Sequence, residues 1–172
     1  MIEIRIHGRG GQGVVTASDL LAVAAFKDGR YSQAFPFFGT ERTGAPIATF
    51  CRIDSEPIRI RSHIYEPDYV IVLDPTLIGD VDVADGLKKG GVIIVNSASP
   101  RKMKGAKSID ATKIALDIIG KPFVNVAILG AFAAATGAVS LRSLTEAVKE
   151  RFSGKMADLN TKALKAAYEE IK

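Results

Sequence analysis

Residues 8–13 read Gly8-Arg9-Gly10-Gly11-Gln12-Gly13, four glycines in six positions. Before them Ile2-Glu3-Ile4-Arg5-Ile6 alternates as a strand does, and from Val14 onward the apolar residues keep helical spacing. A glycine turn between a strand and a helix lets backbone amides and a helix N-terminus approach an anion closely. Arg9 adds a guanidinium and Gln12 an amide near that helix start. Three uses fit this pattern: a dinucleotide phosphate, another anion or a partner's carboxylate, or nothing beyond a tight turn. The dinucleotide reading requires a second parallel strand ending in an acid about 20 residues on. Asp28 stands at that distance but belongs to Lys27-Asp28-Gly29, a helix end. The P-loop reading fails, because no Gly-Lys-Ser/Thr follows. The chain therefore starts like a Rossmann unit without completing a dinucleotide-binding fold. A self-contained nucleotide-binding module using Gly8–Gly13 is retained as the alternative function.

The second unusual stretch is Tyr31 to Pro46, where three phenylalanines, two prolines and two glycines surround the pair Glu41-Arg42. No periodicity persists there, so it reads as a long apolar loop, packed on its own domain or held by a partner. Phe37 and Phe38 are candidate interface anchors or core residues, and Glu41 and Arg42 form an internal or an intersubunit ion pair. His7 reads as a hydrogen-bonded polar group at a strand end, and Cys51 as a small buried hydrophobe. Arg52, Arg59 and Arg61 read as a solvated hairpin face, with attraction for cofactor phosphates as the sharper possibility.

The elements that must position these residues follow in order. A strand covers 2–6 and a helix 12–27, with Val14, Ala17, Leu21, Ala24 and Ala25 on one face. Residues 47–61 predict a β-hairpin, with Ile47–Ile53 and Ile58–Arg61 as arms. Continuously apolar strands at 69–73 and 92–95 predict the buried centre of a sheet, with a short helix over 80–89 between them. A short edge strand fits 107–110, and helices fit 111–119, 125–136, 141–152 and 156–171, with Ser140 as an N-cap. The 125–136 segment is rich in alanine and glycine and must lie very close to a neighbour. The fold class is α/β: residues 1–172 form a single three-layer domain with one mixed β-sheet.

Composition narrows the function further. A length of 172 residues with 47% hydrophobic and 24% charged residues describes one globular domain. No apolar run reaches the ~18 residues a membrane helix needs, and a strand begins within two residues of Met1, so neither a membrane segment nor a signal peptide is expected. These features predict a cytoplasmic protein. One cysteine and two distant histidines exclude an internal disulfide, a cysteine-ligated cluster and a histidine metal site. The net charge of +4 is mild and unclustered, so no nucleic-acid partner is expected.

Taken together, Gly8 to Ala17 and Gln33 to Pro46 resemble the γ subunit of pyruvate (2-oxoacid):ferredoxin oxidoreductases. Tyr65-Glu66-Pro67-Asp68, Leu73-Asp74-Pro75-Thr76-Leu77 and Leu129 to Gly137 fit the same family, so the resemblance runs almost end to end. At Thr43, where many members carry an arginine, this chain supplies no second guanidinium. The resemblance implies an enzyme that oxidatively decarboxylates a 2-oxoacid, with pyruvate as the leading substrate, yielding acyl-CoA and passing electrons to ferredoxin. It implies thiamine diphosphate between α and β subunits and iron–sulfur clusters in β and δ subunits. It also implies a γ subunit without catalytic residues that handles subunit contacts and access of coenzyme A. Gly8, Arg9, Gly10, Gly11, Gln12 and Gly13 are then the candidate contacts to coenzyme A or to a partner.

Overall fold

A computed structural model describes residues 1–37, 43–99 and 105–171. Six strands form one mixed sheet in the order β2-β3-β1-β4-β5-β6. The strands are β1 (Ile2–Arg9), β2 (Tyr31–Phe37), β3 (Pro46–Asp54), β4 (Tyr69–Val72), β5 (Val92–Asn96) and β6 (Ala106–Ile109). β1, β4, β5 and β6 run parallel, while β3 pairs antiparallel with both β1 and β2. The helices are α1 (Val14–Lys27), α2 (Ala111–Ile119), α3 (Val124–Thr136), α4 (Leu141–Arg151) and α5 (Gly154–Ile171). None of them is long and apolar enough to cross a membrane.

Strand alternation decides which side each residue serves. Ile4, Ile6, Cys51, Ile53, Ile71, Leu73, Ile94 and Ile109 point to the face that carries the helices. Val70, Val72, Ile93 and Val95 point the other way and pack on Leu77 and Val83. The central strands are apolar on both faces because both faces are covered. α3 is buried almost all round, which explains its alanine content. A Cβ added at Gly130 would stand 1.9 Å from the Leu164 carbonyl oxygen of α5, so only glycine permits this approach.

The mixed sheet and the α/β class are as expected, and three sequence-based assignments are corrected. Residues 31–37 are not loop but the edge strand β2, with Phe35 opposite Phe50. The hairpin accordingly joins β2 to β3, and residues 58–61 form no strand. They are held as irregular chain by Arg52. The third layer, over the helix-free face, contains no helix at 80–89; a 3-10 turn at Pro75–Leu77 and successive turns take its place.

Two buried arginines fasten this irregular layer. Arg5 donates to His7 Nε2 at 3.0 Å, to the Val83 carbonyl at 3.2 Å and to the Asp85 carbonyl at 2.5 Å. Arg52, 1% exposed, donates to Glu3 at 2.9 Å and to the Ser62 and His63 carbonyls at 2.8 and 3.3 Å. The reading of Arg52 as solvated is thus overturned, because the 58–64 chain covers its face. Arg59 and Arg61 are exposed as expected. Cys51 is fully buried, and burial pushes its thiol up to about 12.

Candidate functional site

The parallel strands end on one side of the sheet, and a cleft of about 600 Å³ opens there. The strand after β1 in the chain lies on one side of it and β4 on the other, which makes this a topological switch point. Open α/β sheets bind ligands at such points. Gly11, Gln12 and Gly13 from the glycine loop line the cleft with Thr16 of α1. Leu73 and Asp74 follow β4, and Asn96 ends β5. Phe123, Phe152 and Met156 add an apolar wall, beside Asn125 and Asn160.

The loop's own side chains hold it in place. Gln12 Oε1 accepts from the Arg9 backbone amide at 2.7 Å, and its Nε2 donates to Asp74 at 2.8 Å. Arg9 spreads over Thr76 at 2.8 Å, Asp80 at 3.1 Å and the Gly44 carbonyl at 3.3 Å, with Asp74 at 3.4 Å. Gly10 pairs with the chain entering β3, donating to Ala45 and accepting from Gly44. Gly13 then opens α1 with φ +75°, and a Cβ there would stand 2.5 Å from Asn125 Nδ2. Both requirements demand glycine. Helix α1 therefore begins two residues later than the spacing predicts.

Asp74 is the one ionisable side chain among the described residues that line the cleft. Burial works to raise its carboxyl, but hydrogen bonds from Thr76 and Gln12 and the Arg9 charge outweigh this and hold it below the usual carboxylate range. A carboxylate saturated in this way is a structural anion, not a proton donor. Asn96 is equally committed, donating to the Leu73 carbonyl and to Thr112, each at 2.9 Å. The helix starts beside the cleft add backbone amides to Thr16, Asn125 and Asn160. Neither α1 nor α3 has a side-chain cap at its N-terminus, whereas Asp110 and Ser140 cap α2 and α4. Uncapped helix starts present amide hydrogens and a positive partial charge.

Of the sequence-derived candidates, Gly11, Gln12 and Gly13 line the cleft, while Gly8 and Arg9 lie behind it, packed and bonded internally. Phe37 is half exposed and meets His63 edge-on at 4.6 Å. Phe38, Glu41 and Arg42 lie outside the described residues. His7 is buried and accepts from Arg5, as a satisfied polar group should; burial and the Arg5 charge lower it to about 4. Asp74, Asn96 and Asn125 were not singled out from the sequence. The usable signal was a polar residue closing each apolar strand, at Asp74 and Asn96.

An open α/β sheet with a crevice at its switch point defines a ligand- or partner-binding domain. A family model described as pyruvate ferredoxin/flavodoxin oxidoreductase matches residues 3–170. The pyruvate synthase subunit PorC of Methanothermobacter marburgensis is 57% identical over 174 residues, spanning 100% of this chain and 98% of that one. The pyruvate/ketoisovalerate oxidoreductases common subunit gamma of Thermococcus kodakarensis is 57% identical over 177 residues, spanning 98% and 96%. The crystal structure of the pyruvate oxidoreductase subunit PORC of Thermotoga maritima superposes with a TM-score of 0.86 at 37% identity, over 98% of this chain and 95% of that one. The chain belongs to this oxidoreductase family, as a γ-type member. These relatives are subunits, so their enzymes contain further chains.

The redox groups of such enzymes do not fit this chain's residues. A cluster needs about four thiolates, and the chain offers one cysteine, fully buried with a raised pKa. Among the described residues no three of His, Cys, Asp and Glu are grouped to hold a metal ion.

Proposed function

We propose that this chain is the non-catalytic γ subunit of a cytoplasmic 2-oxoacid:ferredoxin oxidoreductase, with pyruvate as its 2-oxoacid. In this reading α and β subunits hold thiamine diphosphate, β and δ subunits hold the iron–sulfur clusters, and ferredoxin receives the electrons. The γ chain borders the site where coenzyme A enters and releases as acyl-CoA. The observation that carries the reading is the cleft's chemistry: among the described residues its one carboxylate is held below the usual range, and the rest of its lining is amide, hydroxyl and apolar groups. Such a surface can bind and orient, and the acid–base and electron-transfer steps must come from elsewhere.

The uncapped starts of α1 and α3 suit a phosphate, and Leu73, Phe123, Phe152 and Met156 suit an uncharged chain. Gln12 and Arg9 act behind this surface by fixing the glycine loop. Phe37, with Phe38, Glu41 and Arg42, is assigned to subunit contact. A dinucleotide module is disfavoured: the strand after α1 is an antiparallel-paired edge strand, and Asp28 is bound to Ser140 and Ser143.

The test is purification from native cells followed by assay. The chain should co-purify with larger subunits, lack pyruvate:ferredoxin activity alone, and bind coenzyme A but neither NADH nor FAD. An isolated chain with full activity, or one that binds NADH tightly, overturns the proposal.

A further inference from the structure

From Val14 to Phe37 the chain carries four charged side chains, and three of them turn the same way. Lys27 pairs with Glu150 at 2.6 Å, Asp28 accepts from Ser140 and Ser143, and Arg30 donates to the Ala138 carbonyl. All three serve the junction with α4. Asp19 alone is exposed and makes no ion pair among the described residues. Val15, Val23 and Phe26 are exposed beside it, Phe26 by 74%. At about 100° per residue these four positions share an arc of about 80° on α1.

That stripe runs alongside β2. Ala22, at the border of the arc, accepts from Ser32 Oγ at 2.7 Å. β2 is the outermost strand, paired with β3 alone among the described residues. Its seven residues, Tyr-Ser-Gln-Ala-Phe-Pro-Phe, include no charge. Free edges are ordinarily guarded by lysines, bulges or a covering segment; among the described residues Pro36, near one end, is the sole guard here. The strand and the helix have matching lengths, about 23 and 21 Å.

We infer that the free edge of β2 and the exposed stripe of α1 form the docking surface for a companion subunit. The partner adds an extended, uncharged segment to β2 and sets a cationic side chain against Asp19. This rests on the γ-subunit reading above. A second copy of the same chain is the poorer occupant. Asp19 lies mid-stripe, so a two-fold contact would press two carboxylates together in an apolar surface with no cation between them. A different chain carrying Lys or Arg meets both the edge and the charge.

The experiment compares amide hydrogen exchange in the chain alone and in the complex purified with its identified larger subunits. The amides of 31–37 that point to the free edge (Pro36 has none) should slow at least tenfold in the complex, and Phe26→Glu and Asp19→Lys should each lower co-purification at least tenfold. Leu116→Glu, on exposed α2 surface, should not. If the complex forms while 31–37 exchange as fast as in the free chain and Phe26→Glu assembles normally, the docking surface is wrong and the subunit reading stands. If 31–37 become protected in the chain alone as concentration rises, self-pairing replaces the proposed occupant. If no larger subunit co-purifies, the subunit reading falls and this inference with it.

Discussion

Burial, and then the charge of Arg5, which lies against His7, Val83 and Asp85, keep the His7 imidazole neutral. The folded value of about 4 is below the ordinary 6.5, so above pH 6.5 the residue costs nothing. As pH falls from 6.5 towards 4 the unfolded chain takes up the proton first, and stability is lost, by at most about 3 kcal/mol. Asp85 and Asp82 face Arg5 and temper its charge. Urea unfolding at stepped pH should show the loss, and His7→Gln, which keeps an acceptor for Arg5, should remove that component. Gln12 makes a second test at this scale. Gln12→Ala frees both Asp74 and the Arg9 amide, so in the assembled enzyme KM for coenzyme A should rise about tenfold with a smaller change in kcat. An unchanged KM would remove the loop from the cofactor site. His7 was legible in the sequence because a lone histidine on an alternating strand needs only one partner. Arg52 was not: alternation assigns a residue to a face but does not say whether that face is covered. Asp74 and Asn96 were hidden for another reason, since only the sheet order brings them beside a loop 60 or more residues earlier in the chain.

At the scale of elements, Asp28 makes the most hydrogen bonds of the three side chains that join α1 to α4. Asp28 accepts from the Ser140 amide at 2.8 Å and from the Ser140 and Ser143 hydroxyls at 2.6 Å each. Burial alone would raise its carboxyl, yet these bonds and Arg30 hold it low. Asp28→Ala should therefore cost about 1–2 kcal/mol in urea unfolding, with the wild-type advantage shrinking as the carboxyl is protonated at low pH. A cost near zero would show α4 docking without the cap. Helices were legible in part: α2 spans 111–119 as the spacing predicts and Ser140 caps α4, whereas Asp110, read as the end of the edge strand, is the N-cap of α2. The strands were legible where apolar runs were long. β2 was hidden by Pro36 and its phenylalanines, and Ile58 to Arg61 imitated a strand by alternation alone. What selected between them was the partner: β3 pairs with β2, while the Ile60, Ser62 and His63 carbonyls are spent on Arg52.

For the whole molecule, the helices on one face form two shells, with α3 enclosed between the sheet and α5. Removing Gly154–Ile171 should abolish cooperative unfolding altogether, because it uncovers Leu129, Ala133 and their neighbours across a wide apolar area. A truncated chain with a sharp, native-like transition would contradict this. Gly130→Val tests the same contact more gently and should destabilise by several kcal/mol, on the order of 3 or more, since the Leu164 backbone cannot yield 1.5 Å. There is a consequence for synthesis. α3 leaves the ribosome before α5 does, and α3 is uncharged and apolar apart from Asn125 and Thr136 at its two ends. Until α5 follows, the nascent chain carries a largely apolar segment that its final neighbour does not yet cover. The tight Gly130 approach that closes the finished core is therefore among the last contacts that synthesis allows to form.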